Sequence, residues 1–252
     1  MRADLALDRG HEILLPFGIT AAFTSLWAEL LVTEIRVGIN GTDPSIVAPL
    51  ALDKIENETH TFVARIDSWI LPFLNVYGIY GETWVDSSMG LTIPKPGPGP
   101  PTIVLPIRVN FNSPTYGAGS TLVVGYKSWF AGVDANYTRT DCNEFDSEIK
   151  KKTVSIRTGL QGRSEWLKKA VRIGTMYIDR RTRLEGTTLS GTVVDPIRFE
   201  LDQKFADPWN FLFGAIWQPS LSWNVTVEGG GGPRQQVTAV VAYRYGTWGT
   251  GV

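Results

Sequence analysis

The stretch that most constrains the fold is residues 129–140, where apolar and polar side chains alternate. Its odd positions are apolar from Trp129 to Tyr137, and its even positions from Gly132 to Thr138 are polar or small. Alternation at period two predicts an extended strand with one apolar and one polar face. A strand of a soluble sandwich alternates in the same way. Aromatic residues at both ends of a small aliphatic band, however, are typical of a lipid-facing strand in a closed membrane barrel.

Strands of this kind recur along the chain, and one of them, at 74–85, cannot be oriented because both its faces are fairly apolar. The connections after odd-numbered strands are long or medium and the others are tight, which is how bacterial outer-membrane barrels are built. A sheet that spans lipid must also close on itself. We therefore predict an all-β fold: a single closed antiparallel transmembrane β-barrel of about ten strands, with short periplasmic turns and long external loops. The strands are predicted at 18–30, 59–70, 74–85, 115–126, 129–140, 149–161, 168–186, 209–218, 221–229 and 236–245.

Three long connections are expected outside the membrane, at 41–57, 86–114 and 187–207. The second contains the proline-rich run 94–101, which cannot be sheet and is either an external loop or a segment folded into a pore. Residues 103–111, within the same connection, have β character and could extend a neighbouring strand.

Composition excludes several classes of protein. No run approaches eighteen consecutive apolar residues, so helical membrane spans are excluded. The net charge of −1 gives no indication of a nucleic-acid partner, and one cysteine with two histidines favours neither an internal disulfide nor a metal site. We expect no cofactor. The start of the chain is too polar for a signal peptide, so an exported protein would be represented here in mature form. Residues 1–16 are predicted to be a polar lead-in, 17–248 the barrel and 249–252 a tail.

Two groups of candidate functional residues follow from the strand faces. Ten strands give a backbone diameter of about 20 Å, so inward charges either line a narrow path for polar solutes or pair across the barrel and plug it. The predicted lumen-lining charges are Arg65, Asp67, Asp134, Arg157, Arg172, Glu228 and Arg244. The predicted lipid-facing girdle consists of Tyr116, Tyr126, Trp129, Tyr137, Trp209, Trp217, Trp223, Tyr243 and Tyr245.

Three segments, 71–78 (LPFLNVYG), 129–141 (WFAGVDANYTRTD) and 207–211 (DPWNF), resemble segments of Gram-negative outer-membrane β-barrel proteins, and more narrowly a poorly characterised group of such barrels. The resemblance extends over roughly residues 14–248 and concerns the amino-acid sequences of the strands and their order along the chain. It implies location in the bacterial outer membrane, contact with the lipid bilayer and insertion by the barrel-assembly machinery. The group has no catalytic motif, so it supplies no functional residue.

The outer rim offers further hypotheses. Residues 179–183 carry three arginines and residues 198–204 carry Arg198 and Lys204, so both segments could bind lipopolysaccharide phosphates, although a solvated charged rim is the commoner explanation. His60 starts a strand near Asp53 and Glu58, as a rim hydrolase would require, whereas His11 falls on the periplasmic side.

We expect a non-enzymatic structural barrel or narrow passive channel for small polar solutes. The alternatives are an adhesion or docking barrel acting through its long loops and, less favoured, a rim hydrolase. Protein partners cannot be named.

Overall fold

The computed structural model describes residues 14–38, 45–46, 55–94, 102–142, 147–162, 168–188 and 197–248. These residues form twelve strands, and no helix among them is long and apolar enough to cross a membrane. The strands are β1 (Phe17–Gly38), β2 (Ser45–Ile46), β3 (Ile55–Leu71), β4 (Leu74–Pro94), β5 (Thr102–Tyr126), β6 (Trp129–Cys142), β7 (Ser147–Gly162), β8 (Lys168–Thr188), β9 (Ile197–Phe205), β10 (Trp209–Gln218), β11 (Trp223–Gly231) and β12 (Arg234–Tyr245).

Ten of these strands close into one antiparallel barrel, which confirms the predicted fold class. Strands β3 to β8 pair in chain order, and β10, β11 and β12 continue the sheet from β8. The ring closes where β12 pairs with β1, from Phe17 opposite Tyr245 to Ala28 opposite Arg234. Closure leaves no open edge along the paired part of the wall, so its backbone hydrogen bonds are satisfied within the sheet.

The outer face of the barrel carries a broad band of exposed apolar side chains. On β6, outward Val133 is 41% exposed, whereas the inward neighbours Asp134 and Gly132 are half-buried. The same alternation continues through β10 and β12. A soluble protein rarely exposes so continuous an apolar surface, because water penalises it, while the hydrocarbon of a bilayer does not.

Short turns join the strands at one end of the barrel, which we call the turn end. Residues 72–73 connect β3 to β4, and Lys127 with Ser128 connects β5 to β6. Lys127 has a φ of 54°, the left-handed conformation that a two-residue hairpin turn demands. The opposite end, where the longer connections lie, is called the loop end.

At the loop end, the predictions of long irregular connections are partly wrong. Strand β4 continues to Pro94 and β5 begins at Thr102, so most of 86–114 is paired hairpin, as the β character of 103–111 indicated. The proline-rich run was predicted not to be sheet, but its first residue, Pro94, ends β4 opposite Thr102; residues 95–101 lie outside the described residues. Strand β9 occupies part of 187–207, and β11 ends at Gly231 while β12 begins at Arg234, so only residues 232–233 separate them. The cause is backbone hydrogen bonding, which is satisfied by extending a ladder beyond the bilayer.

Strand β9 covers the loop end above the three shortest barrel strands. It pairs with β8 on one side and with β1 on the other, from Leu30 opposite Phe205 to Gly38 opposite Arg198. Beneath it lies a cluster of buried inward-facing side chains: Leu26, Ala28, Leu30, Ile55, Met176, Ile178, Phe205 and Leu212. A second cluster joins Val85, Phe111, Cys142 and Ile149. The loop end therefore has an apolar core like that of a soluble protein.

Candidate functional site

The inner face of the barrel gathers the seven charged side chains that the sequence placed in the lumen. Each one has at least one polar partner, and they fall into groups that meet across intervening strands.

The group at the turn end is built around Asp67, whose side chain is 3% exposed. Arg244 donates to Asp67 Oδ2 through both terminal nitrogens, and Asn75 donates to the same oxygen at 2.7 Å. Arg65 in turn donates to Asn75 Oδ1 at 2.6 Å and approaches Asp67 at 3.8 Å. One carboxylate is thus held between two guanidinium groups and an amide, which offsets the cost of burying its charge.

Tyr77 links this group to the middle of the lumen. The guanidinium of Arg65 lies 3.5 Å from the centre of the Tyr77 ring, a cation–π contact. The Tyr77 hydroxyl donates to Asp134 Oδ2 at 2.8 Å, and Thr121 donates to the same oxygen at 2.6 Å. Asn136 donates to the other carboxylate oxygen at 3.2 Å. The phenol ring therefore lies across the lumen between two charged groups.

The third group is an ion triad with Glu228 at its centre. Arg157 donates two parallel hydrogen bonds to Glu228, from Nε to Oε2 at 2.8 Å and from Nη2 to Oε1 at 2.9 Å. Nη2 of Arg172 lies 2.9 Å from Glu228 Oε2. Glu228 is 3% exposed, against 22% for Arg157 and 17% for Arg172. The two-point contact is the strongest geometry that a guanidinium and a carboxylate can form.

Glycine residues create the space for all three contacts. Gly18 lies in register between Asp67 and Arg244, and a Cβ there would stand 2.6 Å from an Asp67 oxygen. Gly214 lies in the same way between Arg172 and Glu228. At Gly119 a Cβ would come 2.5 Å from Tyr77 Cζ. Each glycine lets side chains from the two flanking strands meet over the strand between them.

Above the charged groups the interior becomes first hydroxylic and then apolar. The hydroxyls of Thr61, Thr83, Thr115 and Thr140 form a chain across four strands with separations of 3.2, 2.8 and 2.6 Å. At the loop end Arg234 is 1% exposed, stacks 4.7 Å from the Phe205 ring and donates to the Pro208 carbonyl. It lies beyond the lipid-facing part of β12, and its burial lowers its pKa to about 10, with Asp207 acting in the opposite direction.

The nine predicted girdle aromatics all lie on the outer face, with exposures from 39% at Tyr116 to 71% at Tyr126. Tyr126, Trp129, Trp217, Trp223, Tyr243 and Tyr245 are near the turn end, and Tyr116, Tyr137 and Trp209 lie towards the loop end. Their contact with lipid head groups remains a prediction.

His60 lies on the outer wall, not in the lumen. Its Nδ1 is 2.9 Å from Ser25 Oγ, and its Nε2 is 3.1 Å from Glu58 Oε1. Trp27 Nε1 donates to the same Glu58 oxygen at 2.9 Å. His11 and Asp53 lie outside the described residues, and the described part of the chain brings no three His, Cys, Asp or Glu side chains together in a way that could hold a metal ion.

The two basic segments that could bind lipopolysaccharide both lie in strands. Residues 179–183 belong to β8, and those of 198–204 belong to β9. Arg181 and Lys204 are directly opposite each other in the ladder, and Lys204 is exposed. Lipopolysaccharide binding here remains a prediction.

Sequence reasoning missed Asn75, Tyr77 and Ser25. The first two belong to the strand that could not be oriented, and their inward position follows from its pairing with Arg65 and Asp67 on β3. A polar Asn75 two residues before Tyr77 was the available signal. Ser25 had none, because its contact with His60 depends on the register of β1 against β3.

Comparisons with known proteins give similarity at the level of architecture. No protein-family model and no curated protein matches the sequence. Among solved structures, the chain is similar to the translocator domain of the autotransporter NalP from Neisseria meningitidis, with 12% identity over 96% of this chain and 93% of that one and a TM-score of 0.40. It is also similar to the beta domain of the Bordetella autotransporter BrkA, with 10% identity, coverage of 91% and 100%, and a TM-score of 0.42. The toluene transporter TbuX from Ralstonia pickettii gives 9% identity, coverage of 92% and 90%, and a TM-score of 0.35. Values this low carry no functional inference.

Proposed function

We propose that the protein is a barrel of the bacterial outer membrane that serves as a structural anchor, with a lumen closed by its own side chains. The observation that carries this proposal is the set of paired charges across the interior, from Arg244 on β12 through Tyr77 on β4 to Arg172 on β8. A channel for small polar solutes needs inward polar groups that can exchange their partners for water or solute. Here each of these guanidinium and carboxylate groups already has a polar partner inside the barrel.

The physical balance favours closure. A ten-stranded barrel is about 20 Å across between backbones, and side chains from opposite walls fill most of that width. Opening a path would separate Glu228 from both arginines, at a cost of several kcal/mol, or Tyr77 from Asp134, at a cost of about 1.5–3 kcal/mol. The apolar cluster beneath β9 would have to part as well, because it joins side chains of β1, β3, β8, β9 and β10.

Conductance in planar bilayers tests the proposal. The native protein is expected to give no current steps. The double variant Tyr77→Ala with Arg157→Ala is expected to give ohmic steps, because it removes two bulky side chains from the lumen and leaves Glu228 paired with Arg172. Tyr80→Ala is the matched control: it makes the same change on the same strand, but Tyr80 is 67% exposed on the outer face. Ohmic steps from the native protein that change on Arg157→Glu would refute closure and favour a passive channel.

A second candidate function, partner docking at the loop end, is favoured by one specific observation. Strands β4 and β5 remain paired for six residue pairs beyond the last pairing of β3, from Met89 opposite Ile107 to Pro94 opposite Thr102. They project as a two-stranded ribbon above the barrel wall. Deleting residues 89–107 should leave the barrel folded, as judged by heat-modifiable migration in a mild SDS gel. Loss of cell-surface adhesion in that variant would favour docking, and unchanged adhesion would count against it.

A further inference from the structure

The outer wall near the loop end carries a serine, a histidine and a glutamate joined by hydrogen bonds. Ser25 on β1 is directly opposite His60 on β3, and Glu58 precedes His60 by two residues on the same face. The imidazole bridges them, with Nδ1 2.9 Å from Ser25 Oγ and Nε2 3.1 Å from Glu58 Oε1. These are the distances that a nucleophile, a general base and an orienting carboxylate require.

The two contacts require a single consistent tautomer. A carboxylate only accepts hydrogen bonds, so His60 donates its Nε2 proton to Glu58. Nδ1 then carries the lone pair and accepts the hydroxyl proton of Ser25, which polarises the Oγ–H bond. Trp27 donates to Glu58 Oε1 at 2.9 Å and fixes the carboxylate from the other side. The phenyl ring of Phe23 stacks on the imidazole, with centroids 6.1 Å apart and planes 8° apart, and restricts its rotation.

The position of the group indicates its substrate. Trp27 and Trp84, whose amphipathic rings favour the membrane–water interface, flank it on the outer face, with Trp84 directly opposite His60. The acyl ester bonds of lipids lie at that same depth, between head groups and hydrocarbon. The side chains of His60 and Glu58 are 37% and 46% exposed there, and Ser25 lies beneath the imidazole at 7%. Ser25 lies between the exposed side chains of Phe23 and Trp27 on β1, so an ester carbonyl would reach it from the lipid side.

We propose that Ser25 and His60, with the imidazole held in position by Glu58, hydrolyse acyl esters of membrane lipids at the outer wall of the barrel. Ser25 Oγ attacks the ester carbonyl while its proton passes to His60 Nδ1. The tetrahedral intermediate collapses, the bond to the lipid alcohol breaks, and His60 returns the proton to that alcohol. Water, activated by His60 in the same way, then releases the fatty acid and regenerates Ser25. This activity is independent of the lumen and therefore of the proposed closure.

A fluorophosphonate probe, which forms a covalent bond only with an activated serine, tests the nucleophile directly. In the full-length protein in detergent, mass spectrometry is expected to find the probe on Ser25, and His60→Gln should slow labelling at least a hundredfold. Ser25→Ala should abolish it. Ser68→Ala is the control, because Ser68 is an outward serine on β3 opposite Phe17. Labelling of Ser25 and Ser68 at equal rates, or no labelling of Ser25, would overturn the proposal.

Glu58 acts through His60 and is a positioning residue rather than a catalytic one. Glu58→Gln keeps the size of the side chain and an acceptor for Trp27 and His60, but it removes the charge that stabilises the imidazolium. With p-nitrophenyl butyrate as substrate, kcat is expected to fall at least tenfold while KM and the heat-modifiable gel shift stay unchanged. An unchanged kcat would show that the carboxylate only anchors Trp27 and would contradict its assigned role.

The lipid source is decided by reconstitution. Fatty acid release from phosphatidylethanolamine vesicles assigns the activity to phospholipid esters, and release from lipopolysaccharide aggregates assigns it to the ester-linked acyl chains of that lipid. In either case Ser25→Ala must remove the release and Ser68→Ala must preserve it. Ester cleavage that survives Ser25→Ala, or the absence of release from both lipids, would refute the proposed lipid hydrolase.

Discussion

Glu228→Gln is the substitution that best measures how the interior charges hold the barrel together. Glu228 is 3% exposed and compensates two guanidinium groups at 2.8 to 2.9 Å. Breaking a buried ion pair by removing one partner costs about 3–5 kcal/mol. The side chains of Arg157 and Arg172 are 22% and 17% exposed, so water still solvates part of their charge and reduces that cost. We therefore expect a loss of about 2–4 kcal/mol, a shift of about 30- to 1000-fold in the folding equilibrium.

Urea titration in detergent micelles, followed by tryptophan fluorescence, measures the change. The matched control is Glu82→Gln on the outer face, where the carboxylate accepts a hydrogen bond from Asn112 and the loss should stay below about 1 kcal/mol. A third variant, Arg157→Met with Arg172→Met and Glu228→Leu, removes the whole triad and is expected to recover most of the loss, since no buried charge is left unpaired. Equal destabilisation by Glu228→Gln and Glu82→Gln would refute the reasoning.

Three further predictions concern the two faces and the loop end. Val133→Arg on the lipid-facing wall should cost about 2–4 kcal/mol in folding titrations into liposomes, and no cost would argue against lipid contact there. Gly119→Val should cost about 1–3 kcal/mol by urea titration, because a Cβ would stand 2.5 Å from Tyr77 Cζ; an unchanged midpoint would mean that the ring moves freely. Arg234→Met should leave stability unchanged or raise it by about 1–4 kcal/mol, because Nε and Nη1 of Arg234 are buried and have no hydrogen-bond partner among the described residues; a clear loss would show that the charge is needed.

The membrane-spanning part of the fold could be predicted from the sequence because its strands have one polar and one apolar face. Alternation of the kind seen from Trp129 to Tyr137 assigns each residue to a face without knowledge of its neighbours. Strand β4 shows the limit. Its inner face mixes Asn75 and Thr83 with Tyr77 and Val85, so the period-two signal is weak and only pairing with β3 orients it.

The loop end was predicted less well, although β9 had a usable pattern. From Ile197 to Phe205 every second residue is apolar up to Leu201 and the intervening positions are charged. The prediction assigns these charges to the outer rim of a long connection. Their alternation with apolar residues is, however, the pattern of a strand. The partners of β9 could not be predicted at all, because β1 is more than 150 residues away in the chain and register over that distance leaves no local signal.

The candidate site, too, could be predicted only in part. The seven interior charges could be placed on the inner face by alternation, but which of them meet is a property of three-dimensional closure. Arg157 on β7 and Glu228 on β11 are 71 residues apart, and two strands lie between them in the wall. Ser25 and His60 are related by register alone.

The glycines under the interior contacts have a consequence for assembly fidelity. A strand that slides by two residues keeps its apolar side towards lipid, so alternation cannot reject that error. If β10 slid by two, Leu212 or Ile216 would take the place of Gly214 and drive an aliphatic side chain between Arg172 and Glu228. If β1 slid, Pro16 or Thr20 would stand between Asp67 and Arg244. A barrel with a shifted strand would thus lose these ion pairs. The glycines therefore favour the correct register, because only that register places a residue without a side chain between the paired charges.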